Sequence, residues 1–314
     1  MSIFLNILFL SGGLAFLLAG ASLLVSGGSN IAYRLGISVT IVGLTIISYG
    51  TSLPELVVST ASSISGSSEL ALGNVLGSNI ANIGLILGTT ALLSALTVKT
   101  EILRRDFTVL MIATAVFIFI ILDGKVTRIE GIILMVSGFS YTVFLIHSAG
   151  KSRKNIDSED SEKSRSLWLN ILFIVSGISF LVIGGKLCVD NAVKLAGVMG
   201  ISQKVIAITI VSIGTSLPEL AASMVAAWHK KGEMALGNVV GSNIFNILFV
   251  LGTAAVISPF SIPSGSFSLI DITVLVFLTL MLGPVMYTGR RISKGEGAFL
   301  LISYTGYLAY LVIR

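Results

Sequence analysis

The sequence predicts an all-α integral membrane protein of ten transmembrane helices, arranged as two inverted five-helix repeats. Broken helices 2 and 7 are expected to pack with helices 3 and 8 around a midplane ion site. Three observations carry this. Only 11% of the 314 residues are charged and 54% are hydrophobic, whereas an average soluble domain carries roughly 25% charged residues. Ten charge-poor runs are each about as long as the ~20 residues needed to cross the hydrocarbon layer. A 39-residue block in the first half also recurs in the second with 22 identical positions.

The ten runs are 3–27, 37–63, 70–96, 105–122, 129–148, 167–189, 201–228, 233–258, 268–288 and 295–313. The first lacks a basic leader and stays apolar too long for a cleaved signal peptide. Residues 1–148 form the first five-helix repeat, 149–166 a short polar linker and 167–314 the second repeat. A mean hydropathy of +0.99 leaves too little polar surface for a soluble enzyme or a nucleic-acid binder. The net charge of +5 is better explained by loops than by a polyanion site. Fourteen of the 20 Lys and Arg residues lie in loops after odd-numbered spans, among them Arg34, Lys99, Arg104, Lys231 and Arg290. By the positive-inside bias these loops and the linker face the cytoplasm, and both termini lie outside a cell membrane. The single cysteine, Cys188, cannot form an internal disulfide, and no Cys/His cluster of metal-binding type is present.

The repeat decides the architecture. Residues 50–88 align on 214–252 without gaps at an offset of 164, pairing GTSLPELVVS with GTSLPELAAS and ALGNVLGSNIANIGLILG with ALGNVVGSNIFNILFVLG. The offset also pairs Gly36 with Gly200 and Thr45 with Thr209. Each half holds five spans. Five is odd, so the second copy enters from the opposite side and matching segments run antiparallel. Secondary transporters are commonly built this way, with their site where the repeats meet. A duplicated structural bundle without cargo is the plainer alternative, but the identity is concentrated in polar rather than packing residues.

Glu55 and Glu219 are the only carboxylates deep within apolar runs, and they are repeat mates. A charged acid at the bilayer centre costs at least ~2.5–3.5 kcal/mol, so it needs a cation, a proton or a basic partner. No basic residue shares their spans at similar depth. A lone buried Glu is usually a protonated packing group, whereas two symmetric ones point to bound cations. Ser48, Thr51, Ser52 and Glu55 share one helical face, and Ser212, Thr215, Ser216 and Glu219 repeat the pattern. Such all-oxygen stripes suit hard cations, although Ser and Thr also serve helix packing. Pro54 and Pro218 release the carbonyls of Gly50 and Gly214 and break or kink the helix. In the second block Asn74, Ser78 and Asn82 recur as Asn238, Ser242 and Asn246. Ser78, Asn82, Ser242 and Asn246 are candidate neutral ligands, and the glycines between them are structural. His147, His229, Trp168 and Trp228 fit span ends and the interfacial belt. Asp106 and Asp271 fit helix starts. GTSLP lacks the lysine and spacing of a phosphate loop.

The paired GTSLPEL and GNVxGSNIxN segments resemble the two alpha-repeats of the cation/calcium exchanger superfamily, and most closely the compact prokaryotic sodium/calcium exchangers. The resemblance implies a secondary active antiporter, not an enzyme, with transported calcium and sodium as its only bound ions and no cofactor. It implies calcium held by Glu55 and Glu219 with backbone oxygens of Thr51 and Thr215. Sodium sites would add Ser52, Ser78, Ser216 and Ser242 and the carbonyls of Ser48 and Ser212. Asn82 matches a neutral ligand. Several relatives, including potassium-dependent exchangers, have aspartate where this chain has Asn246, so no potassium requirement is expected. Proton/calcium antiporters usually carry an acidic residue in the segment that here reads GSN. Exchange is expected to be electrogenic, through a third sodium, and the chain is expected to act as a monomer in the lipid bilayer. The rival readings are a proton/calcium antiporter, a calcium-selective channel and, last, an intramembrane enzyme using the paired acids.

Overall fold

The computed structural model describes residues 3–151, 165–201, 206, 210, 212–262 and 268–313. The chain is almost entirely helical. In order come α1 (Ile3–Leu35), α2 (Val39–Thr51), α3 (Leu53–Ile64), α4 (Glu69–Leu93), α5 (Ile102–Asp123), α6 (Arg128–Lys151), α7 (Leu167–Val198), α8 (Ser212–Gly214), α9 (Leu217–Trp228), α10 (Gly232–Ile257), α11 (Leu269–Tyr287) and α12 (Lys294–Ile313). Among the described residues there are also four two-residue strands: β1 (Leu96–Thr97), β2 (Lys125–Val126), β3 (Phe260–Ser261) and β4 (Arg291–Ile292).

Eight of these helices are long and apolar enough to cross a membrane, and α2 with α3 forms a ninth span bent by 46°. The expected seventh span is described only over residues 206 and 210, α8 and α9. Arg34 Nη1 donates to the carbonyl of Arg165, and Lys231 Nζ donates to Ser29 Oγ at 2.6 Å. The ends of α1 and the starts of α7 and α10 therefore share one face. α7 carries the chain away from that face, and the chain is back on it at Lys231. The strands agree. β1 pairs with β4, Leu96 opposite Ile292, while β2 pairs with β3 through Lys125↔Ser261 on the other face.

α1 and α7 are repeat mates and run antiparallel along each other. A Cβ at Gly13 would lie 3.0 Å from the Gly184 carbonyl oxygen, and one at Gly20 only 2.8 Å from that of Gly177. The offset of 164 exchanges these two contacts, as a twofold axis requires. Both helices outrun the predicted 3–27 and 167–189, reaching 33 and 32 residues. At 1.5 Å per residue that is about 50 Å, longer than the ~30 Å hydrocarbon core. They stop by the same device: Gly36 and Gly200 take φ of 65° and 76°, and the next amide reaches back to Ala32 or Ala196. Glycine is favoured there because it enters the left-handed region without a side-chain clash.

The core is built on α4 and α10, of whose most apolar stretches 72% and 78% is buried, against 39% or less in the other long spans. Close packing comes from glycine. A Cβ at Gly237 would lie 2.7 Å from the Thr40 carbonyl oxygen, and one at Gly241 would meet that of Leu44 at the same distance. Thus α2 of one repeat lies against α10 of the other. Exposed Phe4, Leu18, Ile112, Phe119 and Ile132 on the outer helices form the lipid-facing surface of a multi-pass membrane protein.

Asp106 departs from expectation. The helix begins earlier, at Thr100, so Asp106 is not at a helix start; it is also fully buried. There it takes two hydrogen bonds from Arg105 and one at 2.8 Å from Tyr141. Asp271 does cap its helix, through Ser268, and also accepts from Tyr307 at 2.9 Å. Outside the spans, Lys231 is held below the ordinary lysine range by burial and by the nearby charge of Arg165.

Candidate functional site

Both GTSLPE segments break their helix at the same residue. Ser52 takes φ −85°, ψ 10° and Ser216 φ −86°, ψ 4°, outside the helical region. The prolines behind them occupy the first turn of α3 and α9, where a missing N–H costs nothing. Glu55 and Glu219 follow in that first turn and are both fully buried. Asn74 fixes the break from the side, donating to the Glu55 carbonyl at 3.1 Å and to Ser59 Oγ at 2.8 Å. Its mate Asn238 does the same to Glu219 at 3.4 Å and Ser223 at 2.9 Å.

The two acids converge. Ser52 Oγ, one turn from Glu55, donates across the repeats to Glu219 Oε1 at 2.7 Å. Ser78 Oγ reaches Glu55 Oε1 at 3.5 Å. The Ser216 hydroxyl neighbours Glu55 from the opposite half, though without hydrogen-bond geometry. Glu55 and Glu219 lie within each other's electrostatic reach. Ion pairs among the described residues join Lys99 to Glu233 and Arg105 to Asp106; neither touches these acids.

Several oxygens and hydroxyls here have no partner. Glu55 Oε2, Glu219 Oε2, Asn82 Oδ1, Asn246 Oδ1, Ser216 Oγ and Ser242 Oγ are all buried without a hydrogen bond. The acids and the asparagines come in repeat-related pairs, whereas the two serines are both from the second repeat, their mates Ser52 and Ser78 being bonded to the acids; all six are groups chosen from the sequence. Buried polar atoms are normally satisfied, and each orphan costs roughly 1–3 kcal/mol. A cluster of orphaned acceptors around two carboxylates is the electrostatic complement of a dehydrated cation.

The remaining predicted residues are placed less uniformly. Thr51 is buried, and its hydroxyl approaches the Ser48 carbonyl at 3.3 Å and Asn238 Oδ1 at 3.4 Å. Thr215 is partly exposed and approaches Asn74 Oδ1 at 3.4 Å. The Ser48 hydroxyl turns back onto Leu44, and its carbonyl accepts the Ser52 amide at 3.0 Å. The Ser212 side chain and Thr209 lie outside the described residues. Asn82 and Asn246 each open a π-turn, Asn82–Leu87 and Asn246–Leu251, a distortion frequent at functional sites. Sequence reasoning missed Asn79 and Asn243, which accept at 3.0–3.1 Å from Asn246 and Asn82 of the opposite repeat. Their signal was available: both belong to the repeated GSN.

Comparison with known proteins bears on this arrangement. The sequence model described as sodium/calcium exchanger protein matches residues 5–147 and 169–313. The chain belongs to the sodium/calcium exchanger family. Members are ion transporters, not enzymes, and use no cofactor. The chain is 38% identical to CaxA of Alkalimonas amylolytica, with 96% of each chain covered. It is 33% identical to the sodium/calcium exchanger MaX1 of Methanosarcina acetivorans, with 98% of each covered. A solved structure of the sodium-calcium exchanger NCX_Mj superposes with a TM-score of 0.83 at 28% identity, covering 99% of this chain and 100% of that one. The family exchanges cations, calcium among them, across a membrane, and the inverted-repeat fold is the one expected.

Proposed function

We propose that this exchanger trades sodium for calcium at one shared site, alternately open to each side of a cell membrane. The carrying observation is the symmetric set of orphaned oxygens on Glu55, Glu219, Asn82 and Asn246. Calcium balances the charge of the two carboxylates, with Thr51 and Thr215 contributing backbone oxygens and Asn82 and Asn246 neutral side-chain oxygens. Sodium ions use the same carboxylates with Ser52, Ser78, Ser216, Ser242 and the carbonyls of Ser48 and Ser212. Sodium and calcium therefore exclude one another, which couples their movements. Two sodium ions balance the acids and a third leaves the loaded site positive, so exchange moves net charge. The two five-helix repeats, 1–148 and 167–314, each supply half of the site, and one chain suffices.

α1 and α7 are the gating pair. They pack together through glycine, as a unit that slides over the core of α2, α3, α4, α9 and α10. The clustered basic loops support a cytoplasmic position for the Arg34, Lys99, Lys231 and Arg290 face, with both termini outside.

Reconstituted vesicles test the reading by calcium-45 uptake under separate sodium, potassium and proton gradients. An outward sodium gradient alone is expected to drive uptake, and neither Glu55→Gln nor Glu219→Gln to support it. Uptake that follows a proton gradient without sodium would make the protein a proton/calcium antiporter. Flux that needs no counter-ion gradient would make it a channel.

A further inference from the structure

We infer that Asn79 is a positioning residue that sets which end of the Asn246 amide faces the cation. The inference rests on the shared-site reading and adds to it a residue that touches no ion. A side-chain amide has one acceptor end and one donor end. Only the oxygen end can coordinate a cation; the NH2 end repels it. A carboxylate ligand presents oxygen either way round, but an asparagine ligand must be oriented by something else.

The orientation at Asn246 follows from a chain of two hydrogen bonds. Asn79 Nδ2 donates at 3.3 Å to the backbone carbonyl of Asn243. A carbonyl can only accept, so this bond fixes the Asn79 amide, with its oxygen turned the other way. That oxygen accepts Asn246 Nδ2 at 3.1 Å. With its nitrogen held there, Asn246 keeps Oδ1 free, buried and without a partner. Asn246 stands one turn beyond Ser242 on the same helical face, so the free oxygen is directed with the other orphaned groups. All three asparagines are 1% exposed or less, so the orienting partner is another buried group of the protein. The bond also crosses the repeats: Asn79 comes from the first half and serves a ligand of the second. Asn243 stands in the mirrored relation to Asn82 at 3.0 Å, but its own nitrogen has no partner. The orientation is therefore locked from both ends only at Asn246.

The test is calcium-45/sodium exchange by the full chain in vesicles, with Asn79→Ala made in three backgrounds: wild type, Asn246→Asp and Asn82→Asp. In wild type the half-saturating calcium concentration is expected to rise roughly tenfold, about the effect of one lost charge-assisted contact. In Asn246→Asp the same change is expected to shift it by less than about twofold, the scatter of independent sites, because aspartate needs no orienting. In Asn82→Asp the full effect is expected to persist, because Asn79 does not pair with Asn82. Equal effects in all three backgrounds would mean that Asn79 only packs the core and would overturn the inference. No effect in wild type would overturn it equally. If Asn79→Ala does not reconstitute, Asn79→Ser, which loses less packing, is carried through the same backgrounds with the same expectations. Exchange retained in both Glu55→Gln and Glu219→Gln would instead remove the shared site, a failure separable from that of Asn79.

Discussion

At the scale of single residues, unequal hydrogen bonds around the acids predict unequal effects. Ser52 holds Glu219 with a short bond between the repeats, whereas Ser78 only grazes Glu55 at 3.5 Å. Hydrogen bonds to charged groups contribute about 1.5–3 kcal/mol when well formed. Ser52→Ala is therefore expected to raise half-saturating calcium by about tenfold or more, and Ser78→Ala by clearly less. Initial exchange rates over a calcium series measure both, and equal effects would contradict the geometry. The buried convergence of Glu55 and Glu219 was legible because duplication marks them: an acid repeated at the same depth in two apolar runs has few structural uses. Asn79 and Asn243 were repeated too. Their role was hidden because it depends on contact between halves, and a sequence aligned on itself shows which positions correspond, not which meet. Asp106 was misplaced for a local reason. Arg105 and Tyr141 satisfy it inside the protein, so a carboxylate that resembled a helix cap is buried.

At the scale of elements, the α1–α7 seam is set by backbone contact. Gly20 and Gly177 approach so closely that even one added methyl meets backbone atoms at 2.7–2.8 Å, and backbone cannot swing aside as a side chain can. Overpacking of this kind costs typically 1–3 kcal/mol. Gly20→Val is expected to lower the melting temperature in detergent and to slow exchange, while calcium still raises that melting temperature, because the proposed ion site lies in the core helices. Loss of the calcium-induced rise would place the seam and the site in one rigid unit. The broken helices were readable from Pro54 and Pro218, since a proline inside an apolar run must release a carbonyl. The lengths of α1 and α7 were not. Both carry Gly and polar residues toward their ends, which looks like a span ending, yet each helix continues to the shared glycine cap at 36 or 200.

At the scale of the whole molecule, hydrogen bonds among loops sort the chain into two faces, and the odd number of spans per half turns one repeat over. A Cys188→Ser background makes the faces addressable. His229→Cys is expected to react with an impermeant thiol reagent only from the cytoplasmic side, and Ser65→Cys only from the outside. The reverse pattern would invert the orientation without touching the fold. Charge movement also belongs at this scale. Three sodium ions leaving a vesicle for each calcium entering carry out one net positive charge. An interior-positive potential is therefore expected to accelerate sodium-driven calcium uptake, and indifference to potential would remove the third ion. The inverted architecture followed from the 164-residue offset and an odd span count; which helix of one half packs on which of the other did not. That pairing is set by glycine contacts, such as Gly237 and Gly241 against α2, whose partners are far apart in the chain.

The most direct measurement is equilibrium calcium binding to the purified chain, titrated calorimetrically with and without sodium. A shared site held by Glu55 and Glu219 predicts one calcium per chain, competitive displacement by sodium, and loss of binding in either Glu→Gln variant. Two calcium ions per chain, or binding that survives both substitutions, would contradict it.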